Sequence, residues 1–226
     1  MTCKKKLAGC CLVLMAALHF FSAGVFAAPG GFDFVELCRR GSPDEMRAAI
    51  EAGADVNAHD EEGIPVLAWC AQDNSVDAVA LLISAGADVN TRGNRGWTAL
   101  MAAASGNPDP AVVSLLTAAG SDVNAKGEED WDALMYAAWV DAPPAVISAL
   151  LEAGADGKAA TVRGMTALML AAESSSTGES VKLLLQAGAD VRAEDAQGKS
   201  ALSYAAEGNP NRSIAIMLLR AAIADR

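Results

Sequence analysis

Aromatic residues and histidine are scarce in this sequence of 226 residues. Phe, Trp and Tyr make up only 5% of the chain, although hydrophobic residues reach 52%. Ala and Leu supply much of that hydrophobic fraction, and the alternation of Val, Thr and Tyr that a β-sandwich needs is missing. This composition favours an all-α fold in which small side chains let the helices pack closely.

Basic residues are also few, with 17 Lys and Arg against 28 Asp and Glu and a formal net charge of −11. Proteins that bind nucleic acid or anionic lipid surfaces usually carry a basic face. We therefore expect no nucleic-acid partner. A partner protein with basic or apolar features would complement this chain.

The first residues have the pattern of a cleavable signal peptide. Basic residues at Lys4–Lys6 precede the apolar segment Leu12–Phe21, and Val25–Ala27 places small residues at the −3 and −1 positions. We expect cleavage after Ala27, which makes residues 1–27 a signal peptide and residues 28–31 a short linker. The mature chain would then be periplasmic or secreted, with no membrane insertion after cleavage.

Two other interpretations of this segment stay open. Leu7–Cys10 has the residues of a lipoprotein lipobox, but it precedes the apolar segment instead of following it. The uncharged run Leu7–Ala28 is long enough to span a bilayer as an uncleaved membrane anchor. The small residues before Pro29 favour cleavage over anchoring.

The rest of the chain repeats the string Ala-Gly-Ala-Asp-Val-Asn. It occurs at Ala52–Asn57 and Ala85–Asn90, with weaker copies at Ala119–Asn124, Ala153–Lys158 and Ala187–Arg192. A second marker, Ala-Leu or Val-Leu, recurs in phase at 66–67, 99–100, 133–134, 167–168 and 201–202. Two markers that share a step of 33 or 34 residues indicate a solenoid of helical repeats.

Each repeat also has a turn residue ten positions after the marker glycine, and these residues are Gly63, Gly96, Asp130, Gly164 and Gly198. The segment Gly96–Ala104 then resembles the ankyrin motif G-x-T-P-L-H-x-A-A. The resemblance implies a hairpin finger and two antiparallel helices in each repeat, with Thr98, Thr166 and Ser200 as caps of the first helix. It implies an all-α ankyrin-repeat solenoid over residues 32–226. The six expected repeats are about 32–59, 60–92, 93–126, 127–160, 161–194 and 195–226.

The repeats depart from the ankyrin motif in two ways. The histidine of the motif is replaced at Ala68, Met101, Met135, Met169 and Ser203. We expect the three methionines to fill the core and the fingers to be braced less firmly. The step of 34 residues adds one residue, which we place in the turn between the two helices. In the first repeat, Ser42–Glu45 predicts a capping box at the second helix.

A catalytic constellation is hard to assemble from these residues. After the leader the only histidine is His59, and no His or Cys pair has the spacing of metal ligands. The aspartates recur with the repeat, which predicts a structural role in loop hydrogen bonding, at Asp55, Asp88, Asp122, Asp156 and Asp190. We expect no enzyme activity, no metal site and no cofactor.

Cys38 and Cys70 take equivalent positions in neighbouring repeats. Packed helices lie about 8–10 Å apart, whereas a disulfide needs Cα atoms within roughly 7 Å. We expect two buried thiols, and a Cys38–Cys70 disulfide is the alternative.

The resemblance implies that a partner protein binds the concave face formed by the fingers and the first helices. All four tryptophans and both tyrosines fall in three rows of positions on this face. The candidate binding residues are Ile64, Trp69, Trp97, Trp131, Tyr136, Trp139 and Met165, with Glu61, Glu62, Glu128 and Glu129 around them. Large aromatic side chains contribute most to protein interfaces. The alternative is that these aromatics pack on the neighbouring finger and only stiffen the stack.

The resemblance also implies a monomeric bacterial periplasmic protein that binds or stabilises a partner protein. A secreted effector that acts on host proteins is the first alternative, although a general secretion leader fits it less well. An enzyme with an unrecognised site is the second.

Overall fold

The computed structural model describes residues 34–207 and 212–224, which form twelve α-helices and, within those ranges, no β-strand. The predicted signal peptide and linker lie outside the described residues. The helices are α1 (Phe34–Arg40), α2 (Pro43–Glu51), α3 (Val66–Asp73), α4 (Val76–Ser84), α5 (Ala99–Gly106), α6 (Pro110–Ala118), α7 (Ala133–Trp139), α8 (Pro144–Glu152), α9 (Ala167–Ser174), α10 (Glu179–Gln186), α11 (Ala201–Glu207) and α12 (Arg212–Ala224).

The helices form two rows. The first helices of successive repeats pack side by side from α1 to α11, and the second helices do the same from α2 to α12. Each helix contacts its own partner and the equivalent helix of the next repeat, as in a solenoid in which every unit touches only its neighbours. The predicted all-α repeat solenoid is confirmed.

Side chains at the predicted positions start the helices. The hydroxyls of Thr98 and Thr166 accept the backbone N–H groups of the third residue of α5 and α9. At α2, Ser42 and Glu45 form the expected capping box. Asp132 caps α7 in the same way, at a position where the Thr and Ser pattern of the other repeats predicts no cap. Ser200 instead has its Oγ 3.4 Å from that of Ser203.

The marker glycines end the second helices. Gly53 has φ +96°, and its N–H donates to Ile50 O at 2.9 Å while the N–H of Ala54 donates to Ala49 O. This left-handed residue turns the chain out of the helix and satisfies carbonyls that the helix leaves free. The same geometry recurs at Gly86, Gly120, Gly154 and Gly188.

The core lies between the two rows and is built largely from Ala, Leu, Val and Met. Met101, Met135 and Met169 are each at most 1% exposed, which confirms the prediction that this column fills the core. The added residue of the later repeats lies where it was predicted. Residues 74–75 separate α3 from α4, whereas residues 107–109 separate α5 from α6.

A row of asparagine side chains ties neighbouring repeats together. The amide of Asn90 donates to Gly120 O at 3.0 Å and accepts the N–H of Asp122 at 2.9 Å. Asn57 and Asn124 make the equivalent pairs of bonds to the next repeat. The string that marks the repeat in the sequence therefore also joins one repeat to the next.

Within the described residues, Cys38 and Cys70 are free thiols. Cys38 and Cys70 are both fully buried. Burial, followed by the proximity of Cys38, raises the pKa of the Cys70 thiol far above its ordinary value. Both side chains contribute to the core as small apolar groups.

Candidate protein-binding face

Five hairpin turns project beside the first helices. We name them fingers 2 to 6 after their repeats, with turn residues 60–64, 93–97, 127–131, 161–165 and 195–199. In each turn the first N–H donates to the fifth carbonyl at 2.8–3.0 Å, and the fourth N–H donates to the first carbonyl. The fourth residue has a positive φ in every finger, as the glycine pattern predicts, and in finger 4 it is Asp130 at +64°.

Fingers 2, 5 and 6 satisfy the fifth N–H of the turn with a side chain. The N–H of Ile64 donates to Asp60 Oδ1 at 2.7 Å, and that of Lys199 donates to Asp195 Oδ1 at 2.8 Å. In finger 5, Thr161 Oγ1 is the acceptor. A short polar side chain at the first position therefore closes the turn.

Fingers 3 and 4 have glycine at that first position, so a backbone carbonyl must accept the fifth N–H of the turn. The N–H of Trp97 donates to Asn94 O at 3.3 Å, and the N–H of Trp131 donates to Glu128 O at 3.1 Å. To offer those carbonyls the chain takes left-handed conformations at Arg95, with φ +60°, and Glu129, with φ +54°. Two successive residues of positive φ make each turn a type I′ turn.

The glycine of finger 3 permits close contact with finger 2. A Cβ on Gly93 would lie 2.9 Å from both Gly63 O and Pro65 Cδ. The N–H of Asn94 donates to Gly63 O at 3.2 Å, and its side chain donates to Glu62 O. Neighbouring fingers are thus joined through their backbones.

Most of the predicted tip residues are buried within the chain. Trp97 and Trp131 are 8% and 4% exposed, and Ile64 and Met165 are also buried. All four side chains belong to the hydrophobic core, and the two tryptophans pack against Tyr136, as the stiffening alternative predicts for the aromatics. Trp69, Tyr136 and Trp139 are half-buried, so part of each ring reaches the surface.

Fingers 3 and 4 share one aromatic cluster. The ring of Tyr136 meets Trp97 edge-on at 4.7 Å between centroids and lies tilted against Trp131 at 5.0 Å. Trp131 also contacts Trp139 edge-on at 5.9 Å. The structure therefore brings together four of the seven predicted binding residues, and contacts of this kind restrict the rotation of the rings.

Trp69 belongs to a separate group in repeats 1 and 2. Its indole Nε1–H donates to Asp60 Oδ2 at 2.7 Å, and the guanidinium of Arg39 lies 4.4 Å from the ring centroid. Arg39 Nε also donates to Asp73 at 3.0 Å. The ring is held on one side by a cation and at its edge by a carboxylate.

Asp195 makes the corresponding contacts in finger 6. Burial acts to raise the pKa of this carboxyl, but the Tyr204 hydroxyl at 2.5 Å, the N–H groups of Lys199 and Gln197, and the Lys199 charge together hold the pKa below its ordinary value. An aspartate three residues before the turn glycine and nine before an aromatic therefore anchors a finger to its helix. Asp60 and Asp195 share this spacing in the sequence, which is the signal that could have predicted both contacts.

Ion pairs link the tips of three successive fingers. Arg95 pairs with Glu128 at 2.9 Å, and Arg163 pairs with Glu129 at 2.9 Å. Glu128 and Glu129, which were expected to surround a hot spot, therefore also connect finger 4 to the fingers on either side.

A family profile described as ankyrin repeats in three copies matches residues 34–127, 91–161 and 134–225. The chain belongs to the ankyrin-repeat family. Ankyrin repeats indicate a protein–protein interaction module, and proteins built from them are typically non-enzymatic. The comparison with curated proteins gives no match.

The recurring aspartates of these ankyrin repeats have the predicted role. The carboxylate of Asp88 accepts the N–H of Asn90 at 2.9 Å, and Asp55, Asp122, Asp156 and Asp190 make the same bond two residues on. Residues 34–207 and 212–224 contain no group of three or more side chains arranged to hold a metal ion. His59 is exposed, and its backbone forms an isolated antiparallel β-bridge with that of Pro65.

The helices of this ankyrin stack can also be compared with the thickness of a bilayer. Over residues 34–207 and 212–224, each helix is too short or too polar to cross a lipid membrane.

Proposed function

We propose that this chain is exported and binds a partner protein through its finger face, the surface formed by fingers 2 to 6 and the first helices. The observation that carries the proposal is the aromatic cluster. Tyr136 and Trp139 keep part of their rings at the surface, and the buried Trp97 and Trp131 hold those rings from beneath. Rings fixed before contact lose little side-chain entropy when a partner covers them.

The contacts between neighbouring repeats support a finger face that binds its partner without a large change in backbone conformation. Backbone bonds, tip ion pairs and asparagine bonds connect neighbouring repeats. A surface held in this way presents its side chains in one arrangement, and partners of such surfaces usually bind with small backbone movements. In this proposal Trp97 and Trp131 support the face, while Trp69, Tyr136 and Trp139 touch the partner.

The charge of the chain supports a partner with basic or apolar features. The formal net charge is −11, and acids concentrate at the tips of fingers 2 and 4. Complementary charge speeds encounter and suppresses binding of acidic proteins. Association with the partner should therefore slow as salt concentration rises.

The basic stretch, apolar segment and small residues of the first 27 positions support export to the periplasm with cleavage of the leader. Cell fractionation with mass spectrometry of the amino terminus tests this part of the proposal. We expect the mature chain in the periplasmic fraction, beginning at Ala28. A chain found only in the cytoplasm would overturn the periplasmic assignment, and a chain found in a host cell would favour the effector.

Affinity capture from the cell envelope tests the binding face. We expect the tagged chain to enrich one or a few proteins, and the double variant Tyr136→Ala with Trp139→Ala to lose most of that enrichment. Met217→Ala is the control, because Met217 is 62% exposed but lies on α12, in the row of second helices. Circular dichroism checks that both variants stay folded. Equal capture by the folded double variant would show that the partner does not use these rings.

A further inference from the structure

Two side chains of complementary chemistry lie at adjacent helix ends on the finger face. Trp139 is the last residue of α7, and Glu173 lies one residue before the end of α9. Ser174 Oγ donates to Ala138 O at 2.7 Å, so the carboxyl ends of the two helices are in direct contact. Both side chains are half-buried.

The polar groups of both side chains are free within the described residues. Neither the indole N–H of Trp139 nor the carboxylate of Glu173 has a hydrogen bond or ion pair there. No buried side-chain polar atom in that part of the chain lacks a partner, so these two groups must be open to solvent.

Glu173 differs in this respect from three other glutamates of the finger face. Arg95 pairs with Glu128 and Arg163 pairs with Glu129. Lys199 pairs at 2.6 Å with Glu207, the residue equivalent to Glu173 in the next repeat. Within the described part of the chain, Glu173 is thus an acid without an ion pair, on the helix that adjoins the end of Trp139's helix. A cation that reached both side chains would gain from both.

Elsewhere in this chain, a tryptophan and a carboxylate together bind an arginine side chain. Arg39 lies with its guanidinium 4.4 Å from the Trp69 ring centroid while its Nε donates to the Asp73 carboxylate at 3.0 Å. A planar guanidinium can stack on an indole and donate to a carboxylate at once, whereas an ammonium offers a point charge. Trp139 and Glu173 offer the same two chemical groups, an indole and a carboxylate, from two adjacent helices to a cation from outside the chain.

We infer that Trp139 and Glu173 form a receptor for one arginine side chain of the partner protein. The inference rests on the proposed function and names the contact that the partner must supply. Trp131 holds one side of the Trp139 ring edge-on at 5.9 Å. The guanidinium then stacks on the free part of the ring and donates to the Glu173 carboxylate.

Binding of two short flexible peptides by the full chain tests the inference. One peptide carries a single arginine among glycines and serines, and the other has citrulline in its place, which keeps the shape of the side chain but removes its charge. Titration calorimetry at low salt should show the arginine peptide binding about tenfold more tightly than the citrulline peptide. Glu173→Gln should remove most of that difference.

Glu51→Gln is the matched control, because it removes the same charge from an exposed position on α2, in the row of second helices. We expect it to leave the preference for arginine unchanged. Equal binding of the two peptides, or an equal loss in the Glu51→Gln and Glu173→Gln variants, would overturn the inference. Trp139→Leu should also weaken arginine binding, but it removes a contact with Trp131, so Glu173→Gln carries the decision.

The two proposals can fail separately. If the chain captures an envelope protein through Tyr136 and Trp139 but does not prefer arginine, only the arginine receptor is wrong. If the arginine peptide binds as expected but no envelope protein is captured, the receptor stands and the finger face lacks the proposed partner.

Discussion

Fingers 3 and 4 differ from fingers 2, 5 and 6 in the way they satisfy one backbone N–H. An Asp or Thr side chain accepts that N–H in fingers 2, 5 and 6. Fingers 3 and 4 have glycine in its place, so the acceptor is a backbone carbonyl and the turn takes a left-handed residue at Arg95 or Glu129. A left-handed conformation costs a residue with a side chain roughly 1–2 kcal/mol.

The difference teaches that fingers 3 and 4 accept left-handed residues at Arg95 and Glu129 while placing a bare glycine and a buried tryptophan in the turn. Without a side chain at Gly93, finger 3 lies close enough to finger 2 to bond to Gly63 O. The same two fingers carry Trp97 and Trp131, whose buried rings pack with Tyr136. Fingers 2, 5 and 6 are closed by a side chain of their own first residue, whereas the buried rings of fingers 3 and 4 depend on the aromatic side chains packed around them.

Removing a ring from the aromatic cluster should have the largest effect. Trp131→Ala should lower the free energy of unfolding by about 3–5 kcal/mol, because it leaves a cavity between Tyr136 and Trp139. Ile64→Ala, at the equivalent position of finger 2, should cost less, roughly 2–3 kcal/mol. Urea denaturation followed by circular dichroism measures both. Equal losses would contradict the view that finger 4 depends more on its neighbours.

Removing the side-chain acceptor of finger 6 should have the next largest effect. Asp195→Ala leaves the N–H groups of Lys199 and Gln197 and the Tyr204 hydroxyl without their acceptor. Because Asp195 is buried, we expect a loss of about 2–3 kcal/mol in unfolding free energy. The equivalent Asp60→Ala should cost less, since Asp60 is only half-buried. A larger loss for Asp60→Ala would reverse this ranking.

The contribution of Asp195 should also depend on pH. Its pKa in the folded protein lies below the ordinary 3.8. The stabilisation is therefore complete above the unfolded pKa and is lost as pH falls through the folded pKa. The difference in unfolding free energy between the wild type and Asp195→Asn should shrink as the pH falls below the ordinary pKa of 3.8. A difference that stays constant as the pH falls would mean that the charge of Asp195 contributes nothing.

Adding a methyl group to the two central glycines should separate their roles. Gly93→Ala places a Cβ against the backbone of finger 2, so we expect a loss of roughly 1–2 kcal/mol. Gly127→Ala meets the flexible end of Met101 at 3.3 Å and should cost less. Thermal unfolding of the two variants measures the difference. Similar melting temperatures would show that the close approach of fingers 2 and 3 is not what requires glycine.

The smallest expected effect is a gain in stability. Asp130 is exposed and has φ +64°, so Asp130→Gly should relieve strain and raise the unfolding free energy by about 0.5–1 kcal/mol. Glu61→Gly in finger 2 is the control, because Glu61 does not have a positive φ and should gain nothing from glycine. Destabilisation by Asp130→Gly would mean that its side chain has a stabilising role in finger 4.

Much of the fold was predictable because its signals are local. The helix caps at Thr98 and Thr166, the capping box at Ser42 and the left-handed glycines each depend on a few neighbouring residues. The repeat then copies them along the chain. The candidate site was less predictable. A row of aromatics at equivalent positions can face a partner or a neighbouring finger, and the spacing of the residues in the sequence is the same in either case.

The sequence by itself determined the repeat, its helices and the positions at which the chain must turn. Periodic glycines, caps and buried methionines are sufficient for that, because each acts within one repeat or on the next. Only the tertiary structure decided which aromatics are covered. Trp97 and Trp131 are buried because adjacent fingers and Tyr136 close over them, whereas Trp139 keeps part of its ring open beside Glu173. The burial of a ring depends on the side chains that neighbouring repeats pack around it, so it cannot be inferred from the sequence of one repeat alone.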